Sequence, residues 1–245
     1  MPVERFLRAV VLPGERVPTE DGYPWDLPAV QGVRDAPLDL DHDVVFLVGE
    51  NGSGKSTLME GMAVALGLNP EGGSQHMTFA TRESHSPLHD ALRVTRGARR
   101  PRSRYFLRAE SFYNVATLVD EIPEALNAHG GVSLHARSHG ESFLALVNHR
   151  FGPHGLYLLD EPEAALSPTG LLALIRRMHD LAADGSQFIV ATHSPMLMAY
   201  PDACIYALDD GGIAPIAFED TEHFQLTRAF LQAPERFLRT LLADE

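Results

Sequence analysis

The chain has 245 residues, 44% of them apolar and 22% charged, enough for one globular domain with a buried core and too much apolar content for a disordered tail. Its 33 acids against 20 bases leave a net charge of −13, which disfavours a general binder of polyanions. No apolar run approaches the roughly 18 to 20 residues of a membrane span, and the start, MPVERFLRAVVLPGER, has no apolar block like that of a secretory signal, so a cytoplasmic protein without membrane insertion is expected.

Residues 44–48, VVFLV, form a short, β-branched and continuously apolar run, as expected of a strand buried on both faces of a parallel sheet. The run leads into Gly49-Glu50-Asn51-Gly52-Ser53-Gly54-Lys55-Ser56-Thr57, which satisfies the phosphate-binding pattern G-x-x-x-x-G-K-[ST]. Downstream, STLMEGMAVALG carries good helix formers and stops at Gly67, a suitable C-cap. Strand, glycine-rich loop and helix in this order point backbone N–H groups and the positive end of a helix dipole at a phosphate chain. Glycine lets the backbone approach phosphate closely, Lys55 offers a compact charge to the β- and γ-phosphates, and the Ser56 hydroxyl is a ligand for Mg²⁺. Composition sharpens the point: 19 of the 20 bases are arginine, and the one lysine is Lys55, where a planar guanidinium would fit badly.

Further along, residues 93–108, RVTRGARRPRSRYFLR, hold seven arginines and no acid, leaving −13 − 7 = −20 on the rest of the chain. Such a stretch, with Tyr105 and Phe106 in it, suits a nucleic-acid backbone, acids on a partner or on the protein's own surface, or the triphosphate of a bound nucleotide. Residues 156–159, LYLL, read as a second buried strand and end in Asp160-Glu161-Pro162. An acid at such a strand end holds Mg²⁺, and a neighbouring carboxylate orients or deprotonates the attacking water, roles that fall to Asp160 and Glu161. A third strand, QFIVA at 187–191, ends in Thr192-His193-Ser194-Pro195, so that His193 points into the crevice where ligands bind in open α/β sheets, within reach of a γ-phosphate. The tail, TEHFQLTRAFLQAPERFLRTLLADE, has helical periodicity on both sides of Pro234.

GENGSGKST, DEPEAALSP and THSP, in this order and spacing, resemble the ABC-type ATPase superfamily, in particular its soluble branch with the Rad50, SMC, RecF and OLD-like ATPases and its small stand-alone members. The resemblance implies an α/β P-loop fold: a mostly parallel sheet flanked by helices, an antiparallel edge sheet from residues 1–48 that includes the base pocket, and a small helical subdomain at 113–150. All of this would lie in one domain, 1–245. It also implies a signature sequence, matched imperfectly by Arg137-Ser138-His139-Gly140-Glu141, 19 positions before Asp160. Ser138 and Gly140 would then meet the nucleotide of a second subunit, which makes the active unit an ATP-dependent head-to-tail homodimer. The same residues also read as an ordinary Ser N-cap with Glu141 completing a capping box. Ala165-Leu166-Ser167-Pro168 stands where the family has its D-loop. Tyr23 and Trp25 lie 32 and 30 positions before Lys55, where the family places an adenine-stacking aromatic, and Trp25, the single tryptophan, is the choice. No glutamine follows the strand at 105–108, and Glu110 is the substitute metal-site residue.

The resemblance therefore implies Mg²⁺-dependent ATP hydrolysis in a nucleotide-gated dimer that acts on an unidentified protein partner. A DNA-repair or defence switch that binds nucleic acid through 93–108, and a transporter's nucleotide-binding subunit, are the alternatives. Fewer than a hundred residues separate the loop from the signature, which leaves no room for heptad arms. The 12 histidines, among them His85, His89, His129, His135 and His139, show no zinc-ligand spacing, and Cys204 in ACIYAL reads as an inert buried thiol.

Overall fold

The structure is a computed structural model and describes residues 5–18, 22–74, 86–112, 117, 133 and 138–243. Its strands are β1 (Leu7–Val11), β2 (Leu38–Asp39), β3 (Val44–Val48), β4 (Gly73–Ser74), β5 (Arg93–Arg96), β6 (Ser103–Arg108), β7 (Gly155–Asp160), β8 (Gln187–Ala191), β9 (Cys204–Asp209) and β10 (Gly212–Pro215). Its helices are α1 (Pro28–Asp35), α2 (Lys55–Ala65), α3 (Leu88–Ala91), α4 (His139–Arg150), α5 (Pro168–Ala183), α6 (Pro195–Met198), α7 (Glu222–Gln232) and α8 (Pro234–Leu241).

A seven-stranded sheet runs in the order β10-β9-β3-β8-β7-β6-β4. Its five inner strands are parallel, and β10 and β4 close the two edges antiparallel. Every residue of β3, β7 and β8 is buried, which is why these segments read as unbroken apolar runs and not as alternating ones. Successive residues still point to opposite faces. Val44, Phe46, Tyr105, Tyr157, Phe188 and Val190 face one core with Phe143 of α4, Leu174 and Met178 of α5 and Leu197 of α6. Val45, Leu47, Phe106, Leu158 and Ile189 face the other with Val30 of α1 and Leu58 and Met62 of α2. Full burial of each such side chain stabilises the fold by about 1.5–3 kcal/mol.

A second, antiparallel sheet of order β2-β1-β5 lies on the α1/α2 face. Two of its strands come from the first 48 residues, and the third, β5, comes from the stretch between loop and signature. Gln187, fully buried at the start of β8, ties this sheet to the main one. Its Oε1 accepts from the Phe6 and Leu7 N–H groups at 3.1 and 2.9 Å, and its Nε2 donates to the carbonyls of Leu7, Leu40 and His42 at 2.7, 2.7 and 3.2 Å. Of the segment expected to form a helical subdomain, α4 is described, while most of 113–137 lies outside the described residues. The tail forms α7 and α8, with Pro234 as the first residue of α8 and with Leu226, Leu231, Leu238, Leu241 and Leu242 exposed. Among the described residues, no helix is long and apolar enough to cross a membrane.

Candidate functional site

Because β3, β8 and β7 are parallel neighbours, their carboxyl ends lie side by side and everything that follows them converges. Backbone bonds continue past the strand ends: Thr192 N–H donates to Leu47 O at 3.1 Å, and Glu161 N–H to Ala191 O at 2.9 Å. Gly49–Gly54 loops out of β3 into α2. Gly54 caps the helix in the left-handed region at φ 91°, and Gly52 has φ 86°. At Gly49 a Cβ would stand 2.2 Å from the Leu208 carbonyl oxygen, so the loop runs too close to β9 for any side chain there.

The Lys55 ammonium lies inside this cradle, 4% exposed, donating to the carbonyls of Gly49 and Glu50, both at 2.8 Å. Burial lowers its pKa, and Glu161, Asp160, Glu163 and Glu50 oppose that shift, so the lysine is held between desolvation and a ring of carboxylates. Asp160, 3% exposed, accepts from Ser56 Oγ at 3.1 Å. Burial pushes its carboxyl up to about 6 against the attraction of Arg108. The two oxygens suit Mg²⁺: two cis ligands of an octahedral ion, each at about 2.1 Å, stand about 3 Å apart.

Glu161 adopts φ 49°, a left-handed conformation uncommon for a residue with a side chain, and its half-exposed carboxylate lies 3.5 Å from His193 Nε2. The other ring nitrogen of His193, Nδ1, is 3.0 Å from Nε2 of His223 on α7. Burial, and then the charge of Lys55, lowers both imidazole pKa values, so the pair is neutral near pH 7. A carboxylate facing Nε2 favours a proton there, which leaves Nδ1 of His193 to accept from His223. Glu163 clamps the same region: its Oε1 accepts from Thr192 Oγ1 at 2.7 Å and from the His193 N–H at 2.5 Å.

Three more residues, Arg108, Glu163 and His223, belong to the site. Arg108, at the end of β6, sits among acids, with Asp160 at 3.3 Å, Glu60 at 3.3 Å and Glu110 at 3.4 Å. Glu163 and His223 reach the site from positions about thirty residues away from the groups they touch. Glu110 lies at the rim, 84% exposed and paired with Arg108. Trp25 is half-buried against the α1/α2 core. Tyr23 instead is 67% exposed, with its hydroxyl 3.5 Å from Thr57 Oγ1 beside the loop. Ser138, exposed, caps α4: its Oγ accepts from the Glu141 N–H at 3.4 Å and its own backbone N–H donates to Glu141 Oε2 at 3.0 Å, the two bonds of a capping box. Gly140 packs over Ala165, whose carbonyl would lie 3.1 Å from a Cβ. Next to the loop, a cavity of about 520 Å³ is lined by Gly49–Ser53, Asp209, Asp210 and, from the tail, Thr221 and His223.

Strand order and loop define a P-loop nucleotide-binding fold. Two family models match, each over less than half of the chain: one described as "AAA domain" over 29–107, and one described as "AAA domain, putative AbiEii toxin, Type IV TA system" over 134–199. The two matched stretches carry the loop and the strand ends beside it, and with the sheet topology they agree with the fold of ABC-type P-loop ATPases. Among solved structures, "an inward-facing conformation of a putative metal-chelate type ABC transporter" has this fold at 16% identity and a TM-score of 0.51, covering 93% of this chain and 89% of that one. Also similar are cbiO1 from Clostridium perfringens, part of the ABC transporter complex cbiONQ (16% identity, 95% and 98% covered, TM-score 0.48), and an SMC head domain from Thermotoga maritima (17%, 74% and 93%, 0.42). No curated protein matches.

Proposed function

We propose that the protein binds ATP and hydrolyses it with Mg²⁺, and that two copies close head to tail around the nucleotide. The observation that carries this reading is the convergence of Lys55, Ser56, Asp160, Glu161 and His193 at the ends of three adjacent parallel strands. Loop N–H groups from Gly49 to Thr57 and the N-terminus of α2 hold the phosphate chain, and Lys55 exchanges its two carbonyl partners for phosphate oxygens. Ser56 and Asp160 would hold Mg²⁺, which would supply charge neutralisation to the phosphate chain. Glu161 accepts a proton from the attacking water, and His193 contacts the γ-phosphate while its Nδ1 stays held by His223. Tyr23, exposed beside Thr57, is better placed than Trp25 to lie against the base.

Closure in a dimer has a physical basis in Ser138 and Gly140. They form an exposed helix N-terminus, which attracts an anion that another copy carries. Calorimetry with ATP and Mg²⁺ tests the binding step. The wild type takes up nucleotide, and Lys55→Ala loses at least about tenfold in affinity, since a charge-assisted contact is worth about 1.5–3 kcal/mol. Equal binding by both proteins would overturn the assignment of the loop.

A further inference from the structure

Strand β6 divides the arginine stretch. Arg108, at its carboxyl end, belongs to the site above, whereas Arg96, Arg99, Arg100 and Arg104 line a cavity of about 620 Å³ at the opposite end of the sheet, against Phe6 and Leu66. No carboxylate is among the described residues that line it, and among the described residues Arg96, Arg99 and Arg100 enter no ion pair. Four guanidinium groups around one hollow, in a chain of net charge −13, concentrate positive charge where nothing in the P-loop site uses it.

The arrangement is held in place before any ligand arrives. Arg96 donates to Ala65 O at 3.1 Å and Arg104 to Leu66 O at 2.5 Å, both at the carbonyl end of α2, where the helix dipole favours cations. The loop that carries Arg99 and Arg100 is pinned at both ends, by Gly97 N–H on Phe6 O at 3.0 Å and by Arg102 N–H on His154 O at 2.8 Å. Fixing these groups in advance lowers the entropy cost of binding. Burial, and then the charges of Arg96 and Arg100, lower the Arg104 pKa, which shows how closely these guanidinium groups are gathered. A guanidinium has five N–H donors in a planar fork that matches phosphate oxygens two at a time, and several forks around one hollow call for a ligand with several linked anions.

We infer that this cavity binds a chain of phosphates, supplied by a nucleic-acid backbone or a linear polyphosphate, separately from the nucleotide at the P-loop. The test uses the full chain carrying Lys55→Ala, so that the P-loop contributes little, and two probes in low salt without ATP: a short fluorescent single-stranded DNA and inorganic tripolyphosphate. The inference predicts that at least one probe binds, and that adding Arg99→Glu and Arg100→Glu weakens it about tenfold or more. If DNA is the ligand, the slope of log K against log salt also falls by about 1.4, or 0.7 for each lost phosphate contact. Both substitutions lie on an exposed loop, and an unchanged unfolding midpoint shows that the fold is retained. Binding of DNA alone assigns the site to nucleic acid, and binding of tripolyphosphate alone to a small polyanion. Binding of neither probe, or equal binding by the charge-reversed protein, would overturn the inference. None of these outcomes depends on whether the protein hydrolyses ATP.

Discussion

At Asp160 the position suited to a metal ligand opposes stability. Its folded pKa of about 6 lies above the ordinary carboxylate value near 4, so between those pH values the folded state holds a proton that the unfolded state has lost. Stability from this group is fully present below about pH 4, falls as pH rises, and is lost above about 6, a difference of roughly 3 kcal/mol. In a chelator, the wild type is therefore expected to lose more unfolding free energy between pH 5 and 7 than Asp160→Asn does, by about 1 kcal/mol in urea titrations. Parallel pH slopes for the two proteins would contradict this. His223 gives a second expectation. Its bond to His193 makes it a positioning residue, so His223→Ala should lower kcat about tenfold with ATP affinity nearly unchanged, and His223→Gln, which keeps an N–H donor, should recover most of it. A parallel loss in Ala and Gln variants would reduce His223 to packing. Lys55, Ser56, Asp160, Glu161 and His193 are legible in the sequence because each ends a recognisable strand or sits in a motif of fixed spacing. Glu163, Arg108 and His223 are not, because what gives them a role is the adjacency of strand ends and the return of the tail, which no local pattern records.

At the scale of elements, β3, β7, β8 and α2 can be read directly, since strands buried on both faces leave unbroken apolar runs and the glycine-rich loop fixes where the helix begins. The third strand of the edge sheet, β5, cannot: RVTR is mostly exposed, and of its four residues only Val94 packs against the core beside β1. Gln187 is equally hidden, because a polar residue opening a strand is ordinary, and its importance arises only where β1 and the loop after β2 bring backbone groups around it. Gln187→Leu strands two buried N–H groups and their carbonyl neighbours. A loss of about 2–4 kcal/mol is expected, seen as a lower denaturation midpoint at constant m. An unchanged midpoint would show that the two sheets are held together by apolar packing alone.

For the whole molecule, the acidic charge is unevenly distributed. Five of the seven arginines of the 93–108 stretch gather toward the two ends of β6, Arg108 among the carboxylates near the P-loop and Arg96, Arg99, Arg100 and Arg104 at the cavity behind α2. In the proposed dimer the exposed N-terminus of α4 and the P-loop would be the two halves of one site, with ATP as the ligand that brings two copies together. Sedimentation of Glu161→Gln with ATP and Mg²⁺ should show a dimer that Lys55→Ala does not form. A monomer under both conditions would restrict the protein to a one-sided site. The central claim is hydrolysis at Glu161, and phosphate release under saturating ATP and Mg²⁺ tests it most directly. Wild-type protein should release phosphate, and Glu161→Gln should bind ATP yet turn over at least about a hundredfold more slowly, as loss of a general base requires. Equal rates in the two proteins would contradict the account.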